Sequence, residues 1–523
     1  MHDEAAFRAE AYSSWVLPNL TWDHKRKQVE ENNNNFLPKE TTSPKFTVSL
    51  GGQEVEGRLE RLEGALIGNS PMLNAGGPVW GLAWAPLPPD QEQVLAVASS
   101  LNHECSTVGG AGEANGLLQI WRCGKQPEFQ LGFGHTYGRV WEVAWCPSGG
   151  WTGDRLGLLA AACGDGTVRV WVVPKGGGGL AYTGDADLTL TCGDASGHCL
   201  GLSWHRGLGH RHIAACFSSG IVAVWDLATS SSLLLTSPNT LLPYHTWTAH
   251  LGSANGISLS PSNDTVPRHL VTGGTDRHYR FWDLRDTSVP VQEVKRGLVT
   301  GVSWLPGWAA ATVCYDDVYL QAHTQTLVAE TGFTGTRSQP VIAQNSGVWG
   351  LATSQWLGAM AVGTAAGELI VFVLPASDRS MEHDKNVCQR RSYVYRTQLL
   401  IEGKAEEEVG RDFASAREKA TLRYIDLPTI KPGGGDCPLE ETKKVRSAER
   451  MDLEDLSHYP LAMVNRVSWN QNLGHHLKMA SGGQAGLVRI HSLAALNTEE
   501  VQTAVAEVES REMQHHVETQ QPM

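Results

Sequence analysis

One phrase recurs along this chain, and its recurrence limits the fold to a narrow set of architectures. It is fullest at residues 140–171, where VWEVAWCP (Val140–Pro147) is followed by RLGLLAAACGDGTVRVW (Arg155–Trp171). Val140–Trp145 is apolar on both faces apart from Glu142, the pattern of a strand packed inside a sheet. Leu158–Cys163 reads as a second strand of small residues. Gly164-Asp165-Gly166 is turn chemistry, because glycine accepts positive φ and Asp bonds its own backbone. Val168, Val170 and Val172 then line one face of a third strand, with Trp171 on the other.

The first half of the phrase has seven copies: VWGLAWAP (Val79–Pro86), VWEVAWCP, CLGLSWHR (Cys199–Arg206), ANGISLSP (Ala254–Pro261), LVTGVSWLP (Leu298–Pro306), GVWGLATS (Gly347–Ser354) and VNRVSWN (Val464–Asn470). The second half also has seven, in strict alternation with the first: GLLQIW, GTVRVW, GIVAVW, DRHYRFWDL, DDVYLQ, GELIVF and GLVRIH. Trp121, Trp171, Trp225 and Trp282 fall 50, 54 and 57 residues apart. Strand-rich units of about 40–45 residues are the signature of propeller blades. A four-stranded blade cannot cover both its faces alone, and radial stacking into a closed ring solves this. The expected fold is all-β: a seven-bladed WD-repeat β-propeller over residues 76–493. Residues 1–75 read as a mostly irregular segment that offers the ring-closing strand, from within Phe46–Ile67. Long loops are expected at 86–115 and 172–197. An insertion spans 375–462; within it Arg391–Ile401 reads as a strand, the outer strand of the sixth blade, and most of 402–450 as a flexible loop. Residues 494–523 read as a short helix and a polar tail.

Charge excludes one class of function. The net charge is −13, whereas an autonomous DNA binder gains its affinity by neutralising phosphates. The start of the chain lacks the apolar core of a signal peptide. The ten cysteines are scattered through expected strands, as buried thiols of a reducing compartment are.

Three features invite a chemical reading. His135, Asp165 and Trp171, and again His250, Asp276 and Trp282 with Thr272 between, are residue types that triads use. Here they recur in phase with the repeat, as does Trp225. They are therefore expected to be structural hydrogen-bonding residues, a turn Asp holding a His from the preceding loop. Cys192, His198, Cys199, His210, His212 and Cys216 crowd together without the paired spacing of a zinc site. The basic runs Arg206–His212, Arg390–Arg396 and Lys443–Arg450 read as charged loop rims, with Tyr393 and Tyr395 as stacking candidates. No catalytic, cofactor or metal site is expected.

Beyond the generic repeat, GGPVWGLAWAP, TDRHYRFWDLRDTSVPVQEVKR, GVWGLATSQWLGAMAVGTAAGELIVFVLP and SGGQAGLVRIHSL resemble the WD-repeat beta subunit (subunit 2) of general transcription factor IIIC. The resemblance spans roughly Gly76–Leu493. It implies a nuclear, non-enzymatic scaffold. Its partners would be the other subunits of that factor and, through them, promoter DNA of tRNA and 5S rRNA genes, with no membrane or small-molecule substrate. An adaptor of another nuclear assembly, for chromatin modification or ubiquitin ligation, fits the repeat pattern as well.

Overall fold

In the computed structural model the paired phrases become the inner three strands of successive sheets, except at DDVYLQ, where the third strand is Gln325–Ala329 and residues 317–321 lie outside the described residues. The structure describes residues 34–50, 53–68, 70–102, 115–147, 155–176, 179–182, 186–193, 197–237, 239–262, 264–305, 310–316, 325–329, 339–342, 346–373, 391–401, 412–426, 459–497 and most of 502–510. Within these residues the strands form seven sheets. Their innermost strands are Val79–Trp84, Val140–Trp145, Cys199–Trp204, Ala254–Leu259, Val299–Leu305, Val348–Thr353 and Val464–Trp469, which head blades 1 to 7. Each inner strand contacts the next, and that of blade 7 contacts that of blade 1, so the ring is closed. Trp121, Trp171 and Trp225 are fully buried, each on the third strand of its blade.

Close approach of the inner strands depends on small residues. A Cβ on Gly256 would lie 2.8 Å from the Val302 amide nitrogen, and one on Gly350 would lie 2.9 Å from Val467 Cγ2. Blades 2 and 7 carry Glu142 and Arg466 at the equivalent position, just after the first register shift of the strand.

The chain ends meet in blade 7. Its fourth strand is Ser70–Asn74, antiparallel to Leu487–Ser492, and Gly64–Ile67 pairs outside that. The ring-closing strand therefore lies just beyond the expected Phe46–Ile67. The stretch before it, Lys45–Leu50, runs instead to blade 6 and pairs parallel with Ala420–Asp426. About half of the described residues of 34–74 are thus in strands.

Blade 6 differs most from expectation. Arg391–Ile401 is its fourth strand. Part of the expected flexible loop is ordered: the helix Phe413–Lys419 is capped by Asp412, whose side chain accepts from the Ser415 amide. It leads into Ala420–Asp426, antiparallel to Arg391–Ile401. With Lys45–Leu50 and Gln53–Gly57 the sheet reaches seven strands. Phe413, Ala416, Leu422 and Tyr424 are buried here beside Phe46 and Val48, which is why this part of the insertion is held.

Two connections also add strands, the first of them within the loop expected at 172–197. Gly179–Tyr182, from blade 2, pairs parallel with the outer strand of blade 1. Thr240–Leu241, from blade 3, pairs parallel with the outer strand of blade 2. After Ala494–Leu496, the described residues of 502–510 are helical, and Val505 packs into the blade 6–7 core.

Candidate functional site

The recurring polar set is complete in blade 4. The Trp282 indole N–H donates to Thr272 Oγ1 at 2.9 Å. Thr272 Oγ1 lies 2.9 Å from His250 Nε2, and His250 Nδ1 lies 2.9 Å from Asp276 Oδ1. Arg280 donates to the other Asp276 oxygen at 2.8 Å and to the Ala249 carbonyl at 3.0 Å. Burial alone would raise the Asp276 carboxyl, but the bonds from Arg280 and His250 outweigh it and hold it down to about 2. Burial also lowers the His250 imidazole against the pull of Asp276. The network continues outward through Arg280 to Glu293 at 2.8 Å.

Blade 2 does not repeat it. Asp165 is turned outward onto Thr167 and onto Arg169 at 2.9 Å, not onto His135. The expected His–Asp tie is therefore absent there. The reason lies in the pairing register. Thr272 stands opposite Arg280, and the residue opposite Arg169 is Ala161. Without a hydroxyl at that place His135 Nε2 is buried with no hydrogen-bond partner among the described residues, and burial with the nearby Arg169 charge lowers the imidazole to about 3. His135 stacks instead on Tyr137, 5.6 Å between rings, and tilts against Trp171 at 5.9 Å. In blade 3 the same place is Ala215, and the Trp225 N–H has no acceptor among the described residues.

Blades 1 and 7 rebuild the tie with other residues. In blade 1 the Trp121 N–H donates to Gln119 Oε1 at 2.9 Å, while Gln119 Nε2 reaches Ser99 and the Ala75 carbonyl. In blade 7 His491 takes the place of tryptophan and lies 2.9 Å from Ser481, which lies 3.0 Å from the Tyr395 hydroxyl of blade 6. Beside them Arg489 is 2% exposed, sandwiched 4.8 Å from both the Tyr395 and Tyr424 rings. It donates to both oxygens of Asp426, at 2.9 and 3.1 Å, and to Ser70. One guanidinium thus joins blade 7, the insertion and the N-terminal strand.

A second set of ties runs between blades and was not read from the sequence. The Trp84 indole donates to the Ser468 carbonyl, and that of Trp145 to the Ala83 carbonyl. Glu142 accepts from the Leu202 amide, Ser203 from Leu259, and Ser258 from Trp304. The Thr353 hydroxyl donates to the Trp304 carbonyl, and Gln471 Nε2 to the Thr353 carbonyl. Every neighbouring pair of blades is stitched at least once at or just beyond the inner strands. A sequence signal existed, the Ser or Thr near the end of the first half-phrase in blades 3 to 7, but it is generic without the register.

The cysteine and histidine crowd of blade 3 disperses. Cys199 and Cys216 are fully buried strand residues, and burial pushes the Cys192 thiol up to about 12. His198 bonds the Gly164 carbonyl. No three His, Cys, Asp or Glu side chains among the described residues are placed to hold a metal ion. Tyr393 and Tyr395 are 6% and 3% exposed, which removes them as stacking platforms, and Arg396 pairs with Glu368. Arg211 pairs with Asp226. Lys443–Arg450 lies outside the described residues.

A closed ring of meander sheets with tryptophan-terminated third strands and a His–Thr–Trp–Asp network defines a WD-repeat propeller. The model for the WD domain, G-beta repeat, matches residues 127–172 and 242–283. These are the stretches holding the two His, Asp and Trp sets. The chain is similar to General transcription factor 3C polypeptide 2 of Homo sapiens, 28% identical over 566 residues, covering 95% of this chain and 61% of that protein. It is also similar to Transcription factor tau subunit sfc6 of Schizosaccharomyces pombe, 25% identical over 435 residues, with 81% and 65% covered. The chain therefore spans about three-fifths of the length of these relatives. Among solved structures, a chain of "Crystal Structure of Mitotic Checkpoint Complex" matches at TM-score 0.45 and 12% identity, covering 81% of this chain and 94% of that one.

Proposed function

We propose that this chain is a non-catalytic scaffold subunit of a transcription factor IIIC complex in the nucleus, supporting promoter recognition and RNA polymerase III transcription of tRNA and 5S rRNA genes. The observation that carries this reading is the similarity to a general transcription factor 3C polypeptide over 95% of the chain, which extends through loops and blade edges that the repeat consensus does not dictate. The physical character agrees. The polar groups of the blade 4 network satisfy one another and leave nothing poised to react. A net charge of −13 supports promoter contact through partner subunits, because phosphate neutralisation needs cationic surface. Loops and added edge strands on a rigid ring are the parts available for docking.

The test is purification of the tagged chain from its own cells, with mass spectrometry of what accompanies it and mapping of the DNA it occupies. Recovery of the remaining transcription factor IIIC subunits, with enrichment at tRNA genes, is expected. A native complex lacking those subunits overturns the reading, and chromatin-modifying or ubiquitin-ligase components in their place would favour the adaptor alternative.

A further inference from the structure

We propose that the mouth of the central channel is a seat for an arginine side chain supplied by a basic segment of a partner protein, and that Arg139 fills part of this seat in the free chain. The second residue of the inner strand is tryptophan in three blades: Trp80, Trp141 and Trp349. Trp80 lies 5.3 Å from Trp141 at 60° and 6.5 Å from Trp349 at 74°. Blade 7 stands between blades 6 and 1, so the Trp80–Trp349 contact passes in front of it and the three indoles converge at the channel. All three remain partly exposed. Among the described residues the other tryptophans are buried, Trp247 excepted, and partly exposed indoles at a concave centre are the pattern of a binding anchor.

The chemistry of the ligand is shown by the chain's own cation. The Arg139 guanidinium lies 5.1 Å from the Trp141 ring centroid, within the range where the ring quadrupole attracts a cation. Arginine suits such a wall better than lysine, since its planar group stacks and is more weakly hydrated. Two charged residues form the floor and oppose each other. Arg466 donates to the carbonyls of Trp80 at 2.5 Å and Trp141 at 3.0 Å, and the partly exposed Glu142 carboxylate interacts with its charge. At the Trp349 side, a Cβ on Gly347 would lie 2.0 Å from Asp316 Oδ1 and 3.4 Å from Trp349 Nε1, so a carboxylate adjoins that indole. The seat offers ring faces from three blades and an acidic flank, on a chain of net charge −13. A basic segment is the complement. Arg139 follows Gly138, which has φ +76°, in a short connection where it can give way.

The test uses the full chain and fluorescent peptides in which one arginine is flanked by glycine and serine, with citrulline as the neutral isostere and lysine as the alternative cation. Binding read by anisotropy should be strongest for arginine and at least tenfold weaker for citrulline, the scale of a partly desolvated cation–π contact. Trp349→Ala should lose about tenfold, with an unchanged melt showing that the ring is intact. Arg139→Ala, a half-exposed change that leaves the fold alone, should strengthen binding by removing the internal competitor. Failure of the arginine peptide to bind overturns the proposal. So does equal binding of the citrulline peptide, or weaker binding to Arg139→Ala. None of these results depends on membership of a transcription complex, so this proposal and the preceding one fail separately.

Discussion

Asp426 offers the sharpest test of how the ring is held. Its carboxylate is the counter-ion of Arg489, whose side chain is 2% exposed while that of Asp426 is 30% exposed. Asp426→Asn keeps the shape but leaves a buried cation with a serine hydroxyl and two tyrosine faces. Removing one partner of a buried pair costs about 3–5 kcal/mol. Because water reaches part of Asp426, the low end applies, about 3 kcal/mol. At roughly 2 °C per kcal/mol for a large domain, the melting midpoint should fall by about 6 °C. Arg489→Met leaves only a carboxylate that can hydrate, and should cost about 1–2 kcal/mol, since replacing a buried ion by a well-packed apolar group is often near neutral. The double variant should then melt close to Arg489→Met alone, a coupling of at least about 1.5 kcal/mol. Thermal unfolding of the four proteins in one buffer measures this. Additive losses, or an Asp426→Asn midpoint matching the parent, would refute the idea that the insertion is clasped to blade 7 through this charge.

Other consequences follow from the same geometry. Thr272→Ala removes a hydroxyl shared by His250 and Trp282 and should destabilise by about 2 kcal/mol, whereas Ala161→Ser gives His135 Nε2 a partner and should raise the melting midpoint; a fall for Ala161→Ser would show that packing dominates at that place. His135 and His205 are lowered to about 3 and His212 to about 4, burial being the main cause in each. The unfolded chain therefore binds protons at these sites below about pH 6.5 while the folded chain does not, so stability should be full above that pH and fall progressively as pH drops towards 3–4. His135→Gln should flatten the slope of melting midpoint against pH, and an unchanged slope would remove His135 from the account. Truncation after Leu461 removes the three inner strands of blade 7 and leaves the edges of blades 6 and 1 open; aggregation on size-exclusion chromatography is expected, and a monodisperse, cooperatively melting product would contradict closure by Val464–Ser492.

What the chain order alone determined was the repeat: the inner strand, the turn and the third strand, tryptophan-ended in four blades, are local patterns, and their sevenfold alternation leaves a ring of sheets as the way to bury all of them. Gly164-Asp165-Gly166 and the Val168, Val170, Val172 alternation are legible because turn chemistry and pleat act over two to four residues. The tertiary structure decided everything that depends on which strand lies beside which. Whether Asp165 could hold His135 turned on Ala161, a residue chosen by cross-strand register and indistinguishable in sequence from any other small strand residue. Arg489, Asp426 and Ser70 are separated by hundreds of residues or by an insertion of loop-like composition, and only the closed ring makes them neighbours. The convergence of Trp80, Trp141 and Trp349 is of the same kind. Each reads as a blade residue along the chain, and they meet because ring closure brings blades 6, 1 and 2 around one axis.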